Sequence, residues 1–424
     1  MLFCCAKTYR TDVIPSYLTI TPDIMSITKM VAGEVAMALE QDVFYWNIID
    51  QLLDMKYRII TMAEDHEEIW LENPRGAEFQ IVRLLRTDAD WGTRLEQDMQ
   101  RAAGMFEEVR KNAGRKSMNV LNVYISAFPP VDDWEHIVEK PYSLGNTVLK
   151  NELIYDEKRS SGIMAIEDML AVRLNNQLPS IKDYEQLQAF KQNTIDKENS
   201  RIDQEKQVFS YGTPKLTKIL LAIQIILFIL MELAGGSQNN QTLVQFGAKF
   251  NPYIIEGDWW RLITPMFLHI GFIHLLMNSV ALYFIGEAVE KMFGSVRFLI
   301  IYFFSGILGT LGSFAFNSSI SAGASGAIFG CFGALLYLGV VQRELFLRTI
   351  GPNIIVVILI NLAIGFTVSN IDNAGHIGGL IGGMAAAFAV QLPSQSKSGR
   401  QILAAAACLI FAVSLAAFGY SRWA

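Results

Sequence analysis

The hydrophobic residues of this chain are concentrated in its second half, in seven apolar runs separated by polar stretches. Each run is close to the roughly 20 residues that a helix needs to cross the hydrocarbon core of a membrane. The runs predict spanning helices at about residues 216–234, 264–285, 296–315, 323–341, 352–370, 374–392 and 401–420. The second half is therefore predicted to be an all-α polytopic membrane domain.

The first half alternates apolar and polar positions over shorter distances, as strands and amphipathic helices of a soluble domain do. A charged helix at Ser180–Phe209 leads towards the first apolar run. The other predicted elements are a helix at Trp91–Gly114, which ends on a glycine suited to a C-terminal cap, and strands at Tyr57–Ala63, Glu67–Glu72, Phe79–Arg86 and Met118–Ser126. A small soluble α/β domain is therefore expected to precede the membrane domain.

These patterns divide the chain into five parts. Residues 1–36 are predicted to be a non-native leader or a disordered extension, because Met37 follows a Gly-Glu-Val sequence whose codons can resemble a bacterial ribosome-binding site. The remaining parts are a cytosolic α/β domain at 37–178, a charged helical linker at 179–215, a six-helix core at 216–392, and a seventh helix with a short tail at 393–424.

Charge predicts the direction of the membrane helices. The loops after the second, fourth and sixth runs contain Lys291 and Arg297, Arg343 and Arg348, and Lys397 and Arg400. Because basic loops stay in the cytoplasm, the N-terminal domain is expected in the cytoplasm and the C-terminus outside the cell membrane. The net charge of −6 argues against a nucleic-acid partner.

Three of the five histidines, His269, His274 and His376, lie in the predicted spans, where polar groups are costly and often functional. A lone membrane histidine can equally serve as an interhelical hydrogen-bond partner. Ser325 and His376 each lie two residues inside an outer helix end, so their depths match. His274 lies ten residues into the second run and is therefore deeper, unless that helix starts late or tilts.

Glycines at intervals of four allow the helices of the fourth and sixth runs to approach closely. On the sixth run these glycines include Gly379 and Gly383. A serine needs a base to become a nucleophile, and a histidine has a pKa suited to that task. The His274 ring, the Asn278 amide and the Ser325 backbone N–H are candidate donors to an oxyanion. Asp372 is interpreted as a solvated bystander, so the predicted site is a Ser325–His376 dyad.

Three motifs carry a family resemblance: "HIGFIHLLMN", "GASGAIFG" and "NAGHIGGLIGG", in this order on alternate runs. They resemble the rhomboid intramembrane serine proteases over about Leu216–Leu392. The resemblance implies that Ser325 and His376 form the catalytic pair and that His274 and Asn278 are the oxyanion partners. It also implies structural roles for Arg261, His269, Glu290, Phe329, Gly323, Gly379 and Gly383.

The resemblance further implies a 6+1 arrangement of transmembrane helices, as in a bacterial subgroup with a cytosolic N-terminal domain. The expected reaction is cleavage of membrane proteins near the extracytoplasmic ends of their spans, with no cofactor required for catalysis. Two other functions remain open at this point. One is a non-catalytic rhomboid-like protein that binds membrane clients, and the other is a transporter that uses polar groups at the midplane.

The N-terminal domain contains the acidic stretch "AEDHEEIWLE". Asp65, His66 and Glu67 are candidate ligands for a regulatory Mg²⁺ or Mn²⁺ ion, because carboxylates with a histidine suit such cations. A solvated acidic loop explains the same residues. No nuclease activity is predicted, and the domain is expected to have a regulatory role or to bind a cytosolic partner.

Overall fold

The computed structural model describes residues 22–74, 78–88, 90–368, 371–395 and 399–424, with side chains from Ala36 onward apart from that of Arg400. The chain forms two units that divide between Arg201 and Ile202, inside the predicted linker. Residues 1–21, which include most of the predicted leader, lie outside the described residues.

The first unit is built on a six-stranded mixed sheet in the order β1-β2-β3-β4-β6-β5. The first three strands are antiparallel, β3, β4 and β6 are parallel, and β5 pairs with β6 antiparallel. The strands are β1 (Arg58–Met62), β2 (Glu68–Glu72), β3 (Ile81–Arg86), β4 (Met118–Ile125), β5 (Tyr142–Leu144) and β6 (Thr147–Ile154). Four of them confirm the predicted strands, whereas β5 and β6 were missing from the prediction.

Helices cover both faces of this sheet. The helices are α1 (Pro22–Asp54), α2 (Gly92–Asn112), α3 (Glu135–Glu139), α4 (Arg159–Leu170) and α5 (Tyr184–Ser210). Side chains of α1, α4 and α5 share one core with Leu71 and Val82, and α2 packs on the other face against Trp70. Successive strand residues point to opposite faces, which explains why neighbours such as Trp70 and Leu71 belong to different cores.

Two predicted boundaries can be compared with these helices. Helix α1 continues through Met37 without a break, so the translation start stays a prediction. Leu187 of α5 is fully buried in the core of the first unit. The first half of the predicted linker therefore packs in the core of the first unit, and is more than a connection to the membrane domain.

All seven apolar runs form helices in the second unit. By length and composition, five helices of the described residues can cross a membrane, and two shorter apolar helices accompany them. The helices of this unit are α6 (Leu216–Leu233), α7 (Asn240–Phe246), α8 (Asn251–Ile255), α9 (Phe272–Ala281), α10 (Glu287–Phe293), α11 (Ser295–Phe316), α12 (Ser325–Val341), α13 (Arg343–Arg348), α14 (Gly351–Thr367), α15 (Asn373–Val390) and α16 (Arg400–Trp423).

The second spanning helix starts later than predicted. It runs from Phe272 to Phe293, formed by α9, a π-helical turn and α10, and the prediction that it begins at residue 264 is wrong. Residues Thr264–Phe267 form a 3₁₀ turn that contains Pro265, and Gly271 adopts a φ of +80°. Pro and a left-handed Gly interrupt an α-helix, which the apolar pattern alone did not reveal. His274 is consequently the third residue of its helix, at a depth comparable with Ser325 and His376.

Helices α12 and α15 approach each other through glycines. A Cβ atom on Gly379 would overlap the carbonyl oxygen of Gly326, and one on Gly383 would overlap that of Gly330. No residue with a side chain fits at this distance. Glycines at four-residue intervals favour such close contact between membrane helices.

Candidate active site

Ser325 is the first residue of α12 and faces His274 across Gly323. A Cβ atom on Gly323 would lie 2.8 Å from Cε1 and 2.9 Å from Nε2 of His274, and 3.7 Å from Oγ of Ser325. The φ of Gly323 is +149°, a conformation that other residues rarely adopt. Glycine at this position therefore lets the imidazole ring and the hydroxyl group approach the same point.

His376 lies in the first turn of α15, against α12. Its ring stacks on Phe329 with centroids 4.3 Å apart and planes inclined by 10°. Phe329 follows Ser325 by one helical turn, so the stack places His376 beside the start of α12. Nδ1 of His376 is buried without a hydrogen-bond partner among the described residues. Catalytic hydrogen bonds often form only when substrate is bound, which suits a base held mainly by stacking.

His274 and Asn278 occupy successive turns of α9. The backbone N–H of Ile270 donates to Nδ1 of His274 at 3.4 Å, which assigns the proton of a neutral ring to Nε2. Nε2 and Cε1 form the edge of the ring beside Gly323, so the Nε2–H group can donate into the site. The Asn278 amide donates one hydrogen bond to the His274 carbonyl at 3.0 Å and has a second N–H to offer.

The remaining predicted residues support the walls of this site. His269 is fully buried, and its Nε2 accepts a 3.5 Å hydrogen bond from the N–H of Ala324, next to Ser325. Arg261 donates to the carbonyls of Val244 and Ala248, at 2.8 and 3.1 Å, and so fixes the loop that contains α7 and α8.

Glu290 closes the other end of the bundle. Its fully buried carboxylate accepts hydrogen bonds from the N–H groups of Lys215, Leu216 and Thr217, at 3.0, 3.0 and 2.8 Å. These are N–H groups at the start of α6, which have no partners within the helix. Glu290 therefore caps α6, far along its own helix from His274.

Sequence reasoning missed the contacts of Asp372, which is half-buried and hydrogen-bonded and not a solvated loop residue. That it takes no direct part in the chemistry stays a prediction. One carboxylate oxygen accepts a 2.9 Å hydrogen bond from Oγ of Ser321, and the other accepts a 3.1 Å bond from the N–H of Gly375. Asp372 thus caps α15 and ties it to the loop before Ser325. The signal was present in the sequence, since Asp three residues before a helical N–H is a common N-cap.

Lys249 fixes the same loop from the opposite side. Its ammonium group, fully buried, donates to the carbonyls of Asn317 and Ser319 at 2.5 and 3.0 Å. The backbones of Lys249 and Ser321 also exchange two hydrogen bonds, at 2.9 and 3.1 Å. The loop that carries Ser321 and Gly323 and leads into Ser325 is therefore held between Lys249 and Asp372.

A cavity of about 30 Å³ lies between these groups, and its lining includes Ser325, Ser321, Asp372 and Ser313. This volume is sufficient for one water molecule, and the lining offers several polar partners. A protease that forms an acyl-enzyme needs a water molecule to release it.

Removal of the Asp372 carboxylate is expected to slow turnover without weakening substrate binding. We expect Asp372→Ala to lower kcat roughly tenfold, because a displacement of about 1 Å of a reacting group is costly, and to leave KM unchanged. Asp372→Asn, which can cap the helix with its amide oxygen and donate from its amide nitrogen to the Ser321 hydroxyl group, should restore most of the lost rate. Steady-state kinetics on a membrane reporter decide this, and an equal loss in both variants would contradict a positioning role.

The buried Lys249 ammonium predicts a pH-dependent stability. Burial lowers the pKa of Lys249 to about 8, although the charge of Asp372 opposes this change. The folded chain releases this proton at lower pH than the unfolded chain, so the stability that Lys249 contributes rises between about pH 8 and 10.5, by up to about 3 kcal/mol. We expect the melting temperature of the native chain, relative to that of Lys249→Met, to increase over this range. The exposed Lys218, changed to Met, is the matched control, and a difference independent of pH would refute the prediction.

The proposed cation ligands of the first unit lie in the turn between β1 and β2. Asp65 accepts a 3.0 Å hydrogen bond from the N–H of Glu67, and both residues line a cavity of about 410 Å³. Burial opposes ionisation of the neighbouring Glu68, but hydrogen bonds led by Arg83 hold its pKa below the usual value. The described residues contain no cluster of three or more ligand side chains suited to a metal ion. Mg²⁺ or Mn²⁺ binding therefore stays a prediction, which titration calorimetry on the full-length chain can test.

Comparison with known proteins adds to this geometry. The family model of the Rhomboid domain matches residues 256–392. The chain is 44% identical over 382 residues to "Rhomboid protease GluP" of Bacillus subtilis. This alignment covers 88% of this chain and 74% of that protein. The chain is 37% identical over 184 residues to "Putative rhomboid protease YdcA" of the same organism, covering 43% and 91% of the two chains. For "RHOMBOID-like protein 5" of Arabidopsis thaliana the identity is 36% over 159 residues, or 36% of this chain and 51% of that protein.

Proposed function

Because the chain belongs to the rhomboid family of intramembrane proteases, we propose that it cleaves membrane proteins with Ser325 as the nucleophile and His376 as the general base. The protein is a multi-pass membrane serine protease whose substrates are membrane proteins. The contact between His376 and Phe329, one turn after Ser325, supports this pairing most directly.

In the proposed reaction, His376 removes the proton from Ser325 as its Oγ attacks the scissile carbonyl carbon. The carbonyl oxygen becomes an oxyanion, to which Nε2–H of His274, the Asn278 amide and the Ser325 N–H can donate. A preorganised donor of this kind typically lowers the barrier by about 3 kcal/mol. Protonated His376 then gives its proton to the leaving amine, and water hydrolyses the acyl-enzyme with His376 again acting as base.

The positions along the helices support cleavage near one end of a substrate span. His274, Ser325 and His376 are the third, first and fourth residues of α9, α12 and α15. Alternate helices run in the same direction, so these helix starts lie on one side of the membrane. The basic loops follow the other ends of these helices, which supports a site at the extracytoplasmic side of the cell membrane.

A single-span reporter in proteoliposomes tests this proposal. Mass spectrometry of the products identifies the scissile bond, and the Ser325→Ala protein provides the matched blank. We expect cleavage within the extracytoplasmic third of the span, also in the presence of a chelator. Cleavage at the cytoplasmic end would refute the orientation. Binding of the reporter without cleavage would instead favour the client-binding alternative.

A further inference from the structure

Two loops of the first unit present three large apolar side chains to solvent. Trp91 is 59% exposed, Phe128 64% and Val131 75%. The other large hydrophobic side chains exposed among the described residues of this unit are Ile60, Leu144, Met164 and Tyr184, and none of them lies in these loops. We call the three side chains the Trp91 patch. Apolar groups gathered in this way on a protein surface commonly mark a site of interaction.

The patch is held in place by hydrogen bonds between the two loops. The N–H of Val131 donates to the carbonyl of Asp90 at 3.0 Å, and the N–H of Gly92 donates to a carboxylate oxygen of Asp132 at 2.5 Å. The N–H of Ala127 donates to Asp88 at 3.0 Å. The apolar side chains therefore protrude from an ordered platform, and a partner can bind them without ordering a flexible loop.

The surroundings of the patch are acidic. Residues 86–94 and 126–136 contain five carboxylates against Arg86 and Arg94, and Asp88 is paired with Arg86 at 3.0 Å. The Asp133 side chain is 88% exposed, with only a 3.7 Å contact to His136, and Asp90 and Glu135 are exposed as well. Such a rim attracts a cationic partner and is repelled by the anionic lipids of the cytoplasmic leaflet. The charge therefore favours a basic protein segment over a lipid surface.

We propose that the Trp91 patch binds the basic, apolar segment that flanks the cytosolic end of a substrate's membrane span. This inference rests on the proposed function and on the cytoplasmic location that the basic loops predict for the first unit. Membrane proteins carry an excess of Lys and Arg on the cytosolic side of their spans, next to apolar and interfacial aromatic residues. The patch and its rim complement both features.

Binding at the patch contributes affinity at a distance from the reacting bond. It raises the local concentration of substrate and is expected to lower KM without changing kcat. Three exposed side chains form a small interface, which is typical of weak and transient binding. The patch thus selects among membrane proteins by their cytosolic flanks.

Peptide binding to the full-length Ser325→Ala protein tests this directly. The probe is a fluorescein-labelled ten-residue peptide in which Lys alternates with Leu and Phe, and the matched peptide has Glu in place of Lys. We expect the Lys peptide to bind and the Glu peptide not to bind. The triple variant Trp91→Ser, Phe128→Ser and Val131→Ser should weaken binding at least tenfold, whereas Ile60→Ser with Met164→Ser should leave it unchanged.

Charge reversal provides an independent variant with the apolar residues intact. Asp90→Lys with Glu135→Lys should also weaken binding at least tenfold, whereas Glu108→Lys with Asp196→Lys, elsewhere on the unit, should not. Equal binding by the native and both patch variants would overturn the proposal. So would patch-dependent binding to phosphatidylglycerol vesicles in place of the peptide. Because Ser325→Ala cannot use the proposed nucleophile, these results do not depend on the proposed chemistry.

Kinetics extend the test to substrates. Two single-span reporters differ only in four cytosolic flanking residues, which are Lys and Arg in one and Gln in the other. The triple variant Trp91→Ser, Phe128→Ser and Val131→Ser, with Ser325 intact, should raise KM several-fold for the basic reporter. It should leave kcat unchanged for both reporters. An equal change in KM for the two reporters would contradict recognition of the basic flank.

Discussion

Replacement of Ser325 by alanine is expected to lower kcat for a membrane reporter by at least about a thousandfold, because the attacking oxygen is removed. KM should change little, since the hydroxyl group contributes little to binding of the span. The fold should persist, because Ser325 begins a helix in which alanine is favourable. Purified protein in proteoliposomes, assayed over a range of reporter concentrations, separates kcat from KM.

The control for this variant is Ser318→Ala. Ser318 lies in the loop that precedes Ser325, has an exposed side chain and forms none of the hydrogen bonds that fix Lys249 and Asp372. Its replacement should leave kcat within about twofold of the native value, as for most exposed positions. Comparable losses in both serine variants would show that the loop, and not the Ser325 hydroxyl group, limits the reaction.

Replacement of His376 by alanine is expected to cause a loss of similar size. In the proposed reaction the neutral ring accepts the serine proton and later donates it to the leaving amine. Among the described residues, no other histidine stacks on Phe329. Because the two residues act as one unit, the double variant with Ser325→Ala should be no slower than either single variant. Losses that multiply in the double variant would show that the two side chains act independently.

A smaller change at Phe329 separates the position of His376 from its chemistry. Phe329→Leu removes the aromatic partner at 4.3 Å but keeps an apolar side chain in a buried position. We expect a partial loss of kcat, because the imidazole ring becomes less well positioned. The kcat of Phe329→Leu should therefore lie between that of the native protein and that of His376→Ala.

The approximate positions of the membrane helices could be predicted, because the length and apolar composition of a run are enough to recognise a spanning segment. The error at the second helix arose where local backbone chemistry mattered more than hydrophobicity. Pro265 and Gly271 prevent an α-helix from forming before residue 272, and α9 begins at Phe272. With this start, His274 no longer lies deeper than Ser325. The difference in depth between His274 and Ser325 in the sequence analysis came from the wrongly predicted start of the second helix at residue 264.

The polar contacts around the site could be predicted only in part. The catalytic residue types and their spacing indicated Ser325, His376, His274 and Asn278. Asp372 also bonds the Ser321 hydroxyl group, and Lys249 bonds two carbonyls, all far away in the sequence. No local pattern reveals these contacts, although the cap that Asp372 forms on α15 has a local signal. In the first unit, β6 was missed because Lys150, Asn151 and Glu152 form an unbroken polar run in the middle of the strand, which hides its alternation. Tertiary packing, not local propensity, determines such strands.

Labelling with a fluorophosphonate tests the central pairing most directly, since this reagent reacts with activated serine hydroxyl groups. Full-length protein in detergent is incubated with the reagent, and its peptides are mapped by mass spectrometry. The proposed dyad predicts one adduct on Ser325 that His376→Ala abolishes and Ser318→Ala leaves intact. An adduct on another serine, or labelling of Ser325 that does not depend on His376, would contradict it.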